Sequence, residues 1–396
     1  MFEPITTFST LYIRGFRAPG MYIQGKGVLK HLGRLVKRFG KKALVLSDSD
    51  VKRIVGDVIE KSLKDYGIGY TYVIFNRECS WEEIRRVTKI ALENNVDMVI
   101  GVGGGKALDT AKAVAIPNEL AAVMVPTIAS TDAPTSALSV IYTEPYPGEF
   151  LEIITYHKNP DMVVVDTEVI ASAPPRFLAA GMGDAASHYW EIRSVFQVNK
   201  AASFVFLDYE KMKGVEPLRS FDLPLLIAKL LWDILQKHGV AAIESAKLKV
   251  VTPSLELVVY ANTLLSGLAF ENAGIGLAHA VAHAMSVLEK KMKPMQYHGE
   301  MVGFGTLVEI LTEGTPEQAV EYIKWAHSVG LPVTFEELGL KEITDEDLYK
   351  VAEKLKTSAE YTLLPYELTE DQIVALMKLA NETGKKYGQL YPRTPL

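Results

Sequence analysis

Residues 97–115 read DMVIGVGGGKALDTAKAVA. Met98 to Val102 is a short apolar run, four of the next five positions counted from Gly101 are glycine, and Lys106 to Ala115 is helical by composition. A buried strand that turns through glycines directly into a helix is one βα unit. Glycine lets a backbone approach a pyrophosphate closely and point free N–H groups at it, and the helix start adds a partial positive charge. Gly103, Gly104 and Gly105 are therefore candidate dinucleotide contacts. A plain strand–helix turn has the same local signature.

Working outward, the pattern repeats on both sides. Residues 43–47 (ALVLS), 70–75 and 121–125 read as further strands, and 51–66 and 81–92 carry apolar residues at helical spacing. Strands of about five residues alternating with helices imply a parallel sheet buried on both faces. Counted this way, the glycines follow the third strand, whereas the usual dinucleotide fingerprint follows the first. Asp48 ends the first of these strands. It could accept hydrogen bonds from an adenosine ribose and repel a 2′-phosphate, which favours NAD over NADP; it could equally cap the next helix. Residues 134–166 hold Pro134, Pro145, Pro147 and Gly148 between β-rich pieces and read as an added hairpin and a last strand.

Past Pro174 and Pro175 the alternation fades. Long apolar-periodic segments follow at 223–238, 255–272, 275–289, 300–312, 317–329 and 371–387. The expected division is an α/β dinucleotide-binding domain over 1–171 and an all-helical metal- and substrate-binding domain over 172–396.

Bulk properties narrow the class. The 396 residues suit two domains, and 48% hydrophobic residues is ordinary for a globular chain. A net charge of -6 argues against nucleic acid as a partner. Cys79 is the single cysteine, so neither an internal disulfide nor a cysteine-built zinc site is available. No basic-then-apolar leader opens the chain and no apolar run reaches membrane-span length, so no membrane partner is expected and the cytoplasm is the default location.

Four of the eight histidines stand in chemically suggestive places. GMGDAASHYWE (181–191) sets Asp184 and His188 four apart, GIGLAHAVAHAMS (274–286) sets His279 and His283 four apart, and QYHGE (296–300) carries His298. Pairs at i,i+4 share a helix face. Buried Asp and His are costly alone, and coordination of a divalent metal is one way to offset that cost. His31, His157, His238 and His327 stand alone in polar settings and read as surface or capping residues.

The stretch VPTIASTDAPTSALSVIYT (125–143), with GVGGGKALDTAK, NPDMVVVDTEVIASAPPRFLAAGMGDA and YHGEMVGFGTLV, closely resembles the glycerol dehydrogenase branch of the iron-containing alcohol dehydrogenase superfamily. The resemblance runs from about Gly20 to the end. It implies a dehydroquinate synthase-like architecture, with the active site in the cleft between an α/β and a helical domain. It further implies an NAD-dependent enzyme that oxidises glycerol or a related small polyol. By resemblance Asp48 contacts the adenosine ribose, and Gly104, Gly105, Lys106, Ala107 and Leu108 hold the pyrophosphate. Thr127, Ile128, Ala129, Ser130, Ser136, Leu138 and Tyr142 line the cofactor further along. Asp132 contacts the polyol, and Asp184, His279 and His298 match the three metal ligands, with zinc expected ahead of iron. His188 departs from the branch and matches a fourth ligand of the iron-type enzymes, which leaves the metal open. His283 matches a position near the nicotinamide and is assigned to proton handling. A homo-oligomer of unstated size is expected. The alternatives are an iron-type dehydrogenase of simple alcohols or 1,2-propanediol and, lower, a glycerol-1-phosphate dehydrogenase.

Overall fold

The computed structural model describes residues 14–197, 220–358 and 360–396. The opening thirteen residues of the stretch read for a leader lie outside them. Among the described residues the chain resolves into two compact units, one of residues 17–174 with 244–267, the other of 14–16, 175–197, 220–243, 268–358 and 360–396.

The first unit is built on β1 (Tyr22–Gly25), β2 (Lys42–Ser47), β3 (Gly69–Ile74), β4 (Met98–Gly103), β5 (Ala121–Pro126), a hairpin of β6 (Leu138–Tyr142) and β7 (Phe150–Thr155), and β8 (Met162–Asp166). Its helices are α1 (Leu32–Val36), α2 (Ser49–Asp65), α3 (Trp81–Glu93), α4 (Gly105–Ala115) and α5 (Thr167–Ser172). Six strands pair in the order β1-β8-β5-β4-β2-β3, all parallel, and β6 pairs antiparallel with β7. The central strands β4 and β8 are buried at every position, as their unbroken apolar runs require when both faces are covered.

Strand β1 was not expected. It has four residues, all half-buried, and the sequence YIQG shows no alternation. Its place comes from partners distant in sequence: it pairs with β8 from Tyr22 opposite Val163, and the Tyr22 hydroxyl meets Thr263 Oγ1 at 2.7 Å. Gln24 Nε2 donates to Glu256 Oε2 at 2.6 Å. With β1 counted, the glycine loop follows the fourth strand in chain order, and Asp48 the second.

The helical remainder comprises α6 (Pro175–Gln197), α7 (Leu223–Lys247), α8 (Pro253–Tyr260), α9 (Ser266–Ala273), α10 (Leu277–Met285), α11 (His298–Glu313), α12 (Pro316–Ser328), α13 (Asp345–Lys356) and α14 (Glu370–Gly388). The run expected as one helix over 255–272 is split by a π-helical turn, Ala261–Leu265, where Thr263 Oγ1 donates back to Val259 O at 2.7 Å. Among the described residues no single helix is long and apolar enough to cross a membrane.

Three glycines set how closely the helices of the second unit approach. A Cβ at Gly299 would lie 1.8 Å from Ala180 O, and one at Gly183 would lie 2.3 Å from Gly299 O. One at Gly305 would lie 2.2 Å from Ala278 O. Helices α6, α10 and α11 therefore touch backbone to backbone, next to Asp184, His279 and His298.

Candidate metal centre and glycine-loop site

Asp184 lies in the middle of α6, His279 in the first turn of α10 and His298 at the start of α11. Asp184 Oδ1 stands 3.2 Å from His279 Nε2 and 3.6 Å from His298 Nε2. His188, one turn along α6 from Asp184, is buried and stacks on His279 with 5.2 Å between centroids and 5° between planes. One donor atom each from Asp184, His188 and His279 lies within 4.8 Å of the others. Asp184, His188 and His279 thus form one buried donor group, and the half-buried His298 reaches it at Asp184 Oδ1.

The charges around this group are unequal. Glu191 is fully buried, which opposes its charge, yet His279 and His188 hold its carboxyl well below the usual range. Burial likewise opposes a charge on His279, but Glu191 and Asp184 outweigh it and raise that imidazole well above its ordinary value. The His279 ring thus has a carboxylate at each nitrogen, Glu191 at Nδ1 and Asp184 at Nε2. An ionised carboxylate only accepts hydrogen bonds, so His279 Nδ1, 2.8 Å from Glu191 Oε2, carries a hydrogen. Its Nε2 then either holds a second proton or turns a lone pair toward a cation next to Asp184 Oδ1. His298 stays neutral: burial, with His283 and His279 nearby, lowers it to about 3 despite Asp184. Two imidazole nitrogens and a carboxylate oxygen around one point are a donor set that fits a divalent transition-metal ion.

His283 sits at the rim, its ring 5.3 Å from that of His298. Its Nδ1 meets Glu360 Oε1 at 3.1 Å. Burial works against the Glu360 charge, but His283 and nearby donors bring that carboxyl down to about 2. Glu309 lies behind the cluster. Burial first, then Glu191 and Glu313, push its carboxyl well above the usual range, and its Oε2 accepts the Ala278 N–H at 3.0 Å.

In the α/β unit the other candidates gather at the carboxyl ends of adjacent parallel strands: Asp48 after β2, residues 103–108 after β4 and residues 127–130 after β5. That edge is where open α/β sheets take ligands. Gly101 has no room for a side chain, since a Cβ there would lie 2.5 Å from the Ala111 Cβ, and Gly103 holds a φ of 150°. Ala107 and Leu108 are buried and return their N–H groups to Gly104 O, so the helix-start donors left over are those of Gly105 and Lys106. The Lys106 ammonium is committed elsewhere, 2.7 Å from Glu78 Oε1 and 4.1 Å from the centre of the Tyr142 ring. Asp48 does cap α2, accepting from Asp50 N and Val51 N through Oδ1 alone. Asp132 Oδ2 accepts from Ser266 Oγ at 2.7 Å.

Sequence reasoning missed several of these partners. Lys112 is fully buried, pairs with Asp109 at 2.9 Å and donates to Ala133 O, fixing the loop that carries Asp132 and Ser136. Its only signal was a lysine on an apolar helix. Glu191 had a better one: 184, 187–188 and 191 repeat at helical spacing on one face. Ser266 and Glu360 had none. His327, read as a surface or capping residue, lies in the last turn of α12 and is buried, with Nδ1 2.6 Å from Tyr391 O.

A family model described as iron-containing alcohol dehydrogenase matches residues 19–167. A glycerol dehydrogenase of Thermotoga maritima is 42% identical over 370 residues, 93% of this chain and 96% of that protein. A glycolaldehyde reductase of Halobacterium salinarum is 37% identical over 374 residues, 94% of this chain and 98% of its own. The crystal structure of glycerol dehydrogenase from Schizosaccharomyces pombe superimposes with a TM-score of 0.87 at 34% identity, over 100% of this chain and 95% of that one.

Proposed function

The chain belongs to the iron-containing alcohol dehydrogenase family, and we propose that it oxidises glycerol reversibly to dihydroxyacetone, as an NAD-dependent polyol dehydrogenase with one divalent ion. The observation that carries the proposal is Asp184 Oδ1 flanked by His279 Nε2 and His298 Nε2 at 3.2 and 3.6 Å. Asp184, His279 and His298 would hold the metal, with zinc ahead of iron. A divalent ion there supplies a Lewis acid that makes loss of an alcohol proton accessible near neutral pH. NAD, when bound, would supply the hydride acceptor.

The chain's own residues bind, orient and move a proton. Asp132, steadied by Ser266, accepts a hydrogen bond from a second hydroxyl and so selects a vicinal diol over a simple alcohol. His283, anchored on Glu360, takes the alcohol proton toward solvent. Asp48, Gly103, Gly104, Gly105, Lys106, Ala107 and Leu108, then Thr127, Ile128, Ala129, Ser130, Ser136, Leu138 and Tyr142, would hold the dinucleotide. Backbone donors of Gly105 and Lys106 would take its pyrophosphate, because the Lys106 side chain is engaged with Glu78. Residues 1–171 would hold the dinucleotide and supply Asp132, and 172–396 would hold the metal, although 244–267 belongs with the α/β unit. A homo-oligomer in the cytoplasm is the proposed setting, with oligomer size open to light scattering.

A second reading has one observation in its favour. His188 shares the compact donor group with Asp184 and His279, as a four-ligand, iron-type site for simple alcohols would require.

Purified protein with NAD and glycerol forms NADH; chelation abolishes the rate and zinc restores it. His279→Ala is expected to lose turnover and metal while retaining NADH binding. Restoration by ferrous iron alone, with faster turnover of propanol than of glycerol, selects the second reading. Full activity of the chelated variant removes the metal from the mechanism.

A further inference from the structure

Glu191 is a heavily engaged buried carboxylate of the helical unit, and the proposed reaction does not use it. Its two oxygens divide their work. Oε1 accepts the backbone N–H of Gly276 at 2.9 Å and of His279 at 2.8 Å, tying the start of α10 to α6. Oε2 faces side chains: His279 Nδ1 at 2.8 Å, Ser187 Oγ at 3.1 Å and His188 Nδ1 at 3.5 Å. A group that both fixes a backbone turn and grips the ring it carries sets the ring's position and its tautomer together.

We infer that Glu191 is the positioning residue of the metal centre: by accepting the His279 Nδ1 hydrogen it reserves Nε2 for the ion, and by holding the α10 backbone it sets that nitrogen beside Asp184. The inference rests on the metal reading above. A carboxylate behind a ligating imidazole orients the ring and raises its basicity. Here the same carboxylate also reaches the second histidine of the stacked pair, so His188 and His279 are set by one anchor.

Glu191→Gln gives a sharp test because an amide has one acceptor and one donor end. The two N–H groups of Gly276 and His279 claim the carbonyl oxygen. The amide NH2 then falls against His279 Nδ1, which must become the acceptor, and the ring hydrogen moves to Nε2, where it blocks coordination. The probe is zinc alone, titrated in competition with a chromophoric chelator into parent, Glu191→Gln and Asp184→Ala proteins. Alongside, ¹⁵N spectra of the histidine side chains report which nitrogen of His279 is protonated. Zinc is expected to bind Glu191→Gln about 10–100-fold more weakly than parent. The His279 hydrogen is expected on Nδ1 in zinc-loaded parent and on Nε2 in the variant.

Equal affinity of parent and Glu191→Gln, with Asp184→Ala unable to bind, overturns the role of Glu191 and leaves the metal reading standing. Weakened binding without the tautomer change also overturns it, because a merely structural contact would do that. Should Glu191→Gln fail to fold, zinc-loaded parent decides alone: a hydrogen on His279 Nε2 rules the inference out. Parent protein that takes up no zinc overturns both.

Discussion

The outcome at single residues turns on who shares a buried charge. Glu360 is almost wholly buried, and His283 with nearby donors lowers its carboxyl from an ordinary value of 4.5 to about 2. A carboxyl lowered by folding stabilises the fold above its unfolded value and loses that contribution as pH falls through the folded one. The stabilisation from Glu360 is therefore full above about pH 4.5 and gone near pH 2, and is on the order of 3 kcal/mol. Glu360→Gln is expected to unfold more readily at neutral pH and to show a shallower loss of stability between pH 4.5 and 2, followed by denaturant titration at several pH values. At this scale the sequence was partly legible. Asp184, His188 and His279 announce themselves because Asp and His at i,i+4 are unusual on apolar helices, and His298 is picked out by the resemblance of YHGEMVGFGTLV. Glu360 gives no such signal, because glutamate is a common residue of solvated helix faces, and Glu191 shows only its helical spacing from Asp184 and His188; the fold shows that both are inside. Asp48 was ambiguous for a physical reason: a carboxylate at a strand end suits a helix N-cap and a ribose alike, and one oxygen performs the first task.

At the scale of elements, the metal geometry is a matter of how closely three helices lie. Gly183, Gly299 and Gly305 leave no space for a methyl group against neighbouring backbone, and protein interiors do not yield locally to such a clash. Gly299→Ala places its Cβ into Ala180 O, so α6 and α11 must separate, and Asp184 parts from His298. Overpacking of this kind costs about 1–3 kcal/mol where neighbours can relax and more where they are backbone. The expected result is a protein with a lowered melting temperature and weakened zinc binding, while Gly67→Ala, strained by its own φ of 70° but open on all sides, loses some stability and keeps its zinc affinity. Calorimetry and the zinc titration measure the two effects. Elements with a strong period were read closely from sequence: β2, β4, β5, α3 and α4 differ from expectation by a residue or two at their ends. The misses share a cause. Strand β1 exists through pairing with β8 and through Tyr22 and Gln24, none of which a local pattern records. The π-helical turn at Ala261–Leu265 breaks a run whose apolar period gave no sign of it.

For the whole molecule, the division into units crosses the order of the chain. Residues 244–267 belong with the α/β unit. They bring Glu256 to Gln24 and to the Thr167 hydroxyl, Thr263 to Tyr22 and Thr135, Asn262 to Ala129 O and Ser266 to Asp132. The sequence showed a change of character near Pro174 but not this return, since a helical segment looks the same whichever unit it joins. A fragment of residues 17–174 is expected to be less stable than one in which 244–267 is fused behind it, and to bind NADH more weakly, as thermal melts and fluorescence titration would report.

The same return of the chain has a consequence for biosynthesis. A ribosome delivers β8 well before residues 244–267, so every strand of the sheet is available while β1 and the loop bearing Asp132 still lack their final partners. Domains generally fold as units during synthesis, amino-terminal first. This one has to wait, and a pause in translation shortly after residue 174 would prolong the exposure of an unfinished sheet edge.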